Sequence, residues 1–325
     1  MVIHPSQFRY QVAGLLVVIL VFLLALFPVS DFDVWTHLAI GRWIATHGSL
    51  PQKEFLTHTL AGQVWGYPAW LFELLLYWIY TISGFNGLVL FKALVVASIF
   101  GLLFLTHRLR GADPYLSLPC LIGTALLIRF RFHQRPEVLV YLFLAFYLYL
   151  LTRYRLRGGR SLYLIPFLQA IWVNLHPSVL VGLIVIAFFL LGEAFQSRWE
   201  RFWGRESPAR RPLLPLVGTL LGAILASWLH PYADALRAPV ALVQDVTANL
   251  GFTEMLPISH FPLLLICYLA VAGLALLAFA LNLKRVWLAE LGLLLAFLPL
   301  PWLAVRSVSF FTLIVAPPLR AGESQ

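Results

Sequence analysis

Charge is scarce in this chain. Only 11% of its 325 residues are Asp, Glu, Lys or Arg, while 61% are hydrophobic. Soluble domains carry about 25% charge and roughly 45–50% apolar residues, so a water-soluble enzyme and a disordered chain are both excluded. Cysteine is nearly missing. Cys120 and Cys267 are the two present, both inside apolar runs, which argues against a disulfide framework or a cysteine metal site. Acidic residues number 14 against 23 Lys and Arg, for a net charge of +9. There is no glycine-rich phosphate loop, no G-x-S-x-G and no His/Cys ligand spacing.

What the sequence has is apolar length. A membrane-spanning helix takes about 20 apolar residues, so the chain has room for roughly nine or ten spans with short loops. The expected fold is all-α, a polytopic transmembrane helical bundle forming one domain over residues 1–325. The first apolar run, 11–29, follows Arg9 and has no convincing small-x-small cleavage site, so it reads as an uncleaved signal anchor. Basic residues fall in short clusters: Arg108 and Arg110; Arg153, Arg155, Arg157 and Arg160; Arg198, Arg201, Arg205, Arg210 and Arg211; Lys284 and Arg285. Such clusters mark cytoplasmic loops. No basic stripe or binding motif accompanies them, so nucleic acid is not an expected partner.

Topology follows from Arg108 and Arg110, which belong inside. Two apolar runs, 70–82 and 85–106, separate them from the polar stretch after the first span. If both crossed, Arg108 would land outside. The run 70–82 is short for a span and contains Glu73, so it reads as an interfacial helix in the outer leaflet. Its Trp70, Phe72, Tyr77, Trp78 and Tyr80 suit that depth. Residues 30–84 thus form a first outer loop with interfacial helices. Further spans are expected at 85–106, 115–128, 138–152, 161–175, 179–193, 213–229, 262–283 and 286–305. The segment 230–261 lies outside, and 307–319 returns inward to Arg320.

Eight of the 23 basic residues then fall outside: Arg42, Lys53, Lys92, Arg129, Arg131, Arg135, Arg237 and Arg306. They share that side with Asp31, Asp33, His37, His133, Glu137, Asn174, His176, His230, Tyr232, Asp234, Glu254 and His260. Ionisable groups near membrane depth are costly and point to function. In extended chain Asp31 and Asp33 face one side, where they suit a divalent cation or a general base. The other reading of this pair is helix capping, since Ser30 to Asp33 has capping-box spacing. Arg129, Arg131 and Arg135 offer planar forks for phosphate. Snorkelling to lipid headgroups or pairing with Glu137 would explain them without a substrate. Leu-His-Pro occurs twice, ending at Pro177 and Pro231. Proline disfavours helix at the preceding residue, which puts His176 and His230 at helix C-termini, where the dipole favours a protonated ring. Capping of the last carbonyls is the ordinary role of such a residue.

From Asp31 the chain reads D-F-D-V-W-T-H-L-A-I-G-R-W-I-A-T-H-G-S-L-P, then F-L-T-H-T-L-A-G-Q-V-W and A-W-L-F-E-L-L-L-Y. This resembles the first outer loop of the GT-C glycosyltransferase superfamily, in particular bacterial relatives of the protein O-mannosyltransferase and aminoarabinose transferase type. It looks closest to bacterial membrane proteins with a D-x-D-x-W-x-H-L-x-x-G opening. Arg135-Pro136, the stretch 172–177 and His230-Pro231-Tyr232 resemble the same group. The resemblance implies a GT-C-like bundle in the bacterial inner (cytoplasmic) membrane, active face outward. It implies a glycosyltransferase that moves a sugar from a polyprenyl-phosphate carrier to an acceptor whose identity it leaves open. Asp31 or Asp33 would be catalytic, Arg129, Arg131, Arg135 or Arg306 would hold the lipid phosphate, and His37, Asn174, His176, His230 and Tyr232 would support them. No cofactor is fixed; a divalent cation, if used, would sit at Asp31 and Asp33.

Two other readings stay open. One is a non-catalytic accessory or structural subunit that keeps the fold, binds membrane lipids and joins other membrane subunits. Relatives often continue into further spans and a soluble C-terminal domain, whereas this sequence stops at Gln325, which favours that reading. The other is an anionic-lipid transporter, against which stand the lack of an inverted repeat and of a mid-membrane acidic residue. The topology has a direct check. A cysteine placed at Ser83 is expected to react with an impermeant thiol reagent from the outer side. Protection there, with outer labelling near Gly111, would overturn the assignment of 70–82.

Overall fold

The computed structural model describes residues 5–59, 61–205, 211–232 and 253–316. Among them the chain is helical, with one isolated bridge, Lys53 to Val64, in place of any strand. The helices are α1 (Pro5–Ala25), α2 (Asp33–His47), α3 (Trp70–Leu109), α4 (Pro114–Leu127), α5 (Glu137–Arg157), α6 (Leu164–Leu175), α7 (Leu180–Phe202), α8 (Leu214–Ala226), α9 (Pro262–Leu281), α10 (Leu288–Phe297) and α11 (Val308–Val315). Five of these, α1, α3, α5, α7 and α9, are long and apolar enough to cross a membrane, and α4, α6, α8, α10 and α11 fall in shorter apolar stretches. The chain is a helical membrane protein. Asp234, Arg237, Arg210 and Arg320 lie outside the described residues.

The runs 70–82 and 85–106 are not separate elements. They are two arms of α3 that meet at Gly84, whose φ of 59° and ψ of −155° interrupt the helix. A side chain rarely adopts such a positive φ, and glycine does so freely. The kink therefore falls where the charge argument divides the runs. Trp78 and Ile82 on the first arm stay exposed, and Trp35 of α2 meets Phe85 edge to face at 5.3 Å. Exposed aromatics at this level suit a headgroup boundary.

Helix α3 is the hub, packing against α1, α2, α4, α5 and α6. Helix α5 is apolar on every side and correspondingly buried, as expected of a helix without a polar face. Helix α2 buries Val34, Leu38, Ile40, Gly41 and Ile44, an apolar stripe at helical spacing. Gly41 brings it so close to α3 that a Cβ would overlap the Glu73 carbonyl oxygen.

At the end of the bundle away from Asp31, arginines that the sequence places in watery loops are drawn inward. Arg110 pairs with Glu290, and Arg155 pairs with Glu193. Both guanidiniums lie over the Trp287 ring, at 5.0 and 4.3 Å from its centre. Ion pairing with cation–π contact offsets the cost of burial. The last helix returns to this end, where the Ala316 carbonyl lies 2.9 Å from His107 Nε2. Gly41→Ala tests the α2–α3 approach. Overpacking typically costs about 1–3 kcal/mol, so a lower thermal midpoint in detergent is expected, and an unchanged midpoint would refute the close contact.

Candidate functional site

Arg135 organises the opposite end. It follows the 3-10 turn Arg129–Arg131 and precedes α5. Its Nε and Nη2 bond both oxygens of Asp31, with Nη2 to Oδ1 at 3.0 Å. Nη2 also lies 2.9 Å from Asp33 Oδ2, and Nη1 donates to Glu254 Oε2 at 2.8 Å. Arg131 repeats the pattern. Its Nη1 donates to the same Glu254 oxygen at 2.7 Å, and its Nη2 bonds Glu137, whose other oxygen accepts from the Tyr141 hydroxyl at 2.8 Å. The candidate acids and two of the candidate phosphate arginines are thus brought together, and bonded to each other.

Burial alone would raise the Asp31 carboxyl, but hydrogen bonding and charge from Arg135 hold it below the usual carboxylate range. Glu254 behaves the same way: burial opposes, Arg131 and Arg135 win, and the carboxyl is held low. The two acids of the first loop differ. The Asp31 side chain is 8% exposed and Asp33 56%. The capping-box reading is corrected: α2 has Phe32 at its N-cap, with no side-chain bond. Asp31 Oδ1 does cap the first N–H of α2, accepting from Asp33 N at 3.2 Å while it also accepts from Arg135.

Arg129 and Arg306 stand apart. Among the described residues neither has a carboxylate within ion-pairing distance. Arg129 Nε donates to the Leu24 carbonyl at 3.3 Å, and its guanidinium lies over Phe27. Lys92, fully buried, donates to the Phe27 carbonyl at 3.0 Å. Arg306 sits in the 3-10 turn Val305–Ser307, near enough to Glu254 and Arg131 to feel both charges. Gln134, 1% exposed, has neither amide atom bonded among the described residues.

The expected supporting residues divide. His37 Nδ1 lies 3.4 Å from Glu73 Oε1, joining α2 to α3. Asn174 accepts from Trp70 Nε1 at 2.8 Å and donates to the carbonyls of Ala170 and Leu229, at 2.8 and 2.9 Å. Tyr232 donates to the Pro51 carbonyl at 2.7 Å, and His230 Nε2 lies 3.3 Å from that of Pro68. Asn174, His230 and Tyr232 therefore clamp the first loop. The protonated imidazoles expected at the two Leu-His-Pro motifs are corrected. Burial, with the charges of Arg306, His37 and Arg131, pushes His176 down to about 3. Burial also lowers His230. Each Nδ1 accepts a backbone N–H, from Ser178 and Tyr232, both at 3.0 Å. Moreover α8 ends at Ala226, which removes His230 from the dipole.

A groove of about 1430 Å³ runs between α4 and α9. Its walls are apolar, from Leu126 and Leu127 on one side to Leu264 and Val271 on the other. Its polar end is Arg131, His133, Arg135 and Glu254, and both cysteines face it. The pairing of Asp31 and Asp33 with a guanidinium does not fit a divalent cation there, and no group of three or more His, Cys, Asp or Glu that could hold one occurs among the described residues. Glu254 is the residue that sequence reasoning undervalued; its position near a span start is the same signal that picked out Arg135. No known protein family, curated protein or solved structure matches the chain.

Carboxyls held below their ordinary values, about 4 for Asp and Glu, contribute stability above that pH and lose it as pH falls through the folded values. The thermal midpoint is therefore expected to drop on acidification from about pH 5 to about pH 3. Arg135→Gln removes the partner of Asp31 and Glu254, so its midpoint should fall less over that window. Parallel curves for parent and variant would show that the network adds no stability.

Proposed function

We propose that the chain is a GT-C-type glycosyltransferase, moving a sugar from a polyprenyl-phosphate carrier to an acceptor on the outer face of a bacterial inner membrane. The observation that carries this reading is the apolar groove that ends at a cluster of arginines and carboxylates. Such a shape suits an amphiphile with a long hydrocarbon chain and an anionic head, apolar walls holding the one and convergent polar groups the other. The resemblance of the first loop supplies the sugar.

In this reaction the acceptor O–H or N–H attacks the anomeric carbon. The bond from that carbon to the phosphate oxygen breaks, and the phosphate leaves with the electron pair. Asp33, the more exposed acid, takes the acceptor's proton. Asp31, fixed to Arg135, positions the start of α2. Arg131 and Arg135, which line the groove, stabilise the leaving charge, with Arg306 close by. Preorganised charge of this kind contributes most where water is excluded.

The accessory-subunit reading has one observation in its favour, the internal neutralisation of Arg131 and Arg135 by four carboxylates. Native Cys120 and Cys267 separate the two. Saturating polyprenyl phosphate is expected to slow modification of both by an apolar maleimide at least about tenfold, and the corresponding alcohol much less, because the head is bound by charge. Equal rates with and without the lipid would refute occupancy of the groove.

A further inference from the structure

Two guanidiniums from one loop converge on a single oxygen. Arg131 Nη1 and Arg135 Nη1 both donate to Glu254 Oε2, at 2.7 and 2.8 Å. The far side of each arginine is anchored separately, Arg131 by Glu137 and Arg135 by Asp31 and Asp33. Both forks are therefore held in place without Glu254. We infer that Arg131 and Arg135 form an anion seat at the head of the groove, and that Glu254 is its internal occupant, displaced by the phosphate of an incoming lipid.

Three observations support displacement over a fixed ion pair. First, neutralisation does not require Glu254: with it four carboxylates face two arginines, and without it three remain. Second, Glu254 is more loosely placed than Asp31 and Glu137, which hold the far sides of the two arginines. Its side chain is 28% exposed, against 8% for Asp31 and 12% for Glu137, and it sits on the short turn Thr253–Met255 with none of that turn buried. Third, the seat opens on the groove, since Arg131, Arg135 and Glu254 all line it. Even as the diester of a sugar-linked carrier, a phosphate presents two free oxygens to the two Nη1 donors, where Glu254 offers one. Arg306 stands close enough for its charge to act on Glu254, and so on an anion seated in its place. A tethered carboxylate competes at high effective concentration, so the resting seat excludes weak anions and yields to a ligand that the apolar walls also hold. Glu254 would thereby filter lipid phosphates from free anions.

The inference rests on the reading of the groove as a lipid-phosphate site, and the experiment separates the two. Binding of polyprenyl phosphate, inorganic phosphate and phosphatidylglycerol would be measured on the full chain in nanodiscs of neutral lipid. Glu254→Gln is expected to tighten polyprenyl phosphate at least about tenfold, since the internal competitor is gone. It should also bring inorganic phosphate into the measurable range. Adding Arg131→Gln should abolish both gains. Glu254→Asp, which keeps the charge on a shorter arm, should give an intermediate gain and covers the case in which Glu254→Gln does not fold. Unchanged or weaker polyprenyl-phosphate binding in a folded variant overturns the seat. Tightening for phosphatidylglycerol and inorganic phosphate, with no preference for the polyprenyl lipid, keeps the seat and overturns the glycosyltransferase reading.

Discussion

Arg135 gathers carboxylates from far along the chain, and the rest of this end of the bundle depends on that gathering. Asp31 and Asp33 follow α1, while Glu254 precedes α9. One side chain thereby ties the first loop, the α4–α5 turn and the approach to α9 into one end of the bundle. The groove between α4 and α9 has a charged head because these three stretches are pinned beside it. Breaking such a pair leaves a buried charge uncompensated, which is usually costlier than the pair is favourable. The network fixes an arrangement, and the stability it contributes is the acid-sensitive part held by Asp31 and Glu254.

The two ends of the bundle keep different charge accounts. Away from Asp31, each arginine over Trp287 bonds a glutamate. At the Asp31 end four carboxylates meet two arginines, and among the described residues Arg129 and Arg306 stand nearby with no carboxylate in ion-pairing distance.

Much of this was legible in the sequence, for physical reasons. Spans were legible because apolar length is a strong signal, and the division of α3 at Gly84 because charge on the following loop constrains direction. The gathering of Asp31, Arg131, Arg135 and Arg306 at one end followed from alternation alone. What could not be seen was partnering. Spacing puts Asp31 and Arg135 at one end of the bundle, but does not tell that one grips the other. The imidazoles of His176 and His230 were misjudged because a helix dipole is a local effect, while burial and neighbouring cations come from distant segments. Arg110 and Arg155 resembled ordinary loop arginines because Trp287, which draws them in, lies far along the chain.

The close approach at Gly41 has a consequence for motion. Where α2 meets α3, main chain lies against main chain, and no rotamer change can loosen such a contact. With Tyr232, His230 and Asn174 clamping the rest of the first loop, Asp31 and Asp33 stand on a rigid platform. The platform and the first arm of α3 can travel only as one body. Shape change at the head of the groove is left to the opposite bank, where Glu254 sits on a short turn with no buried residue.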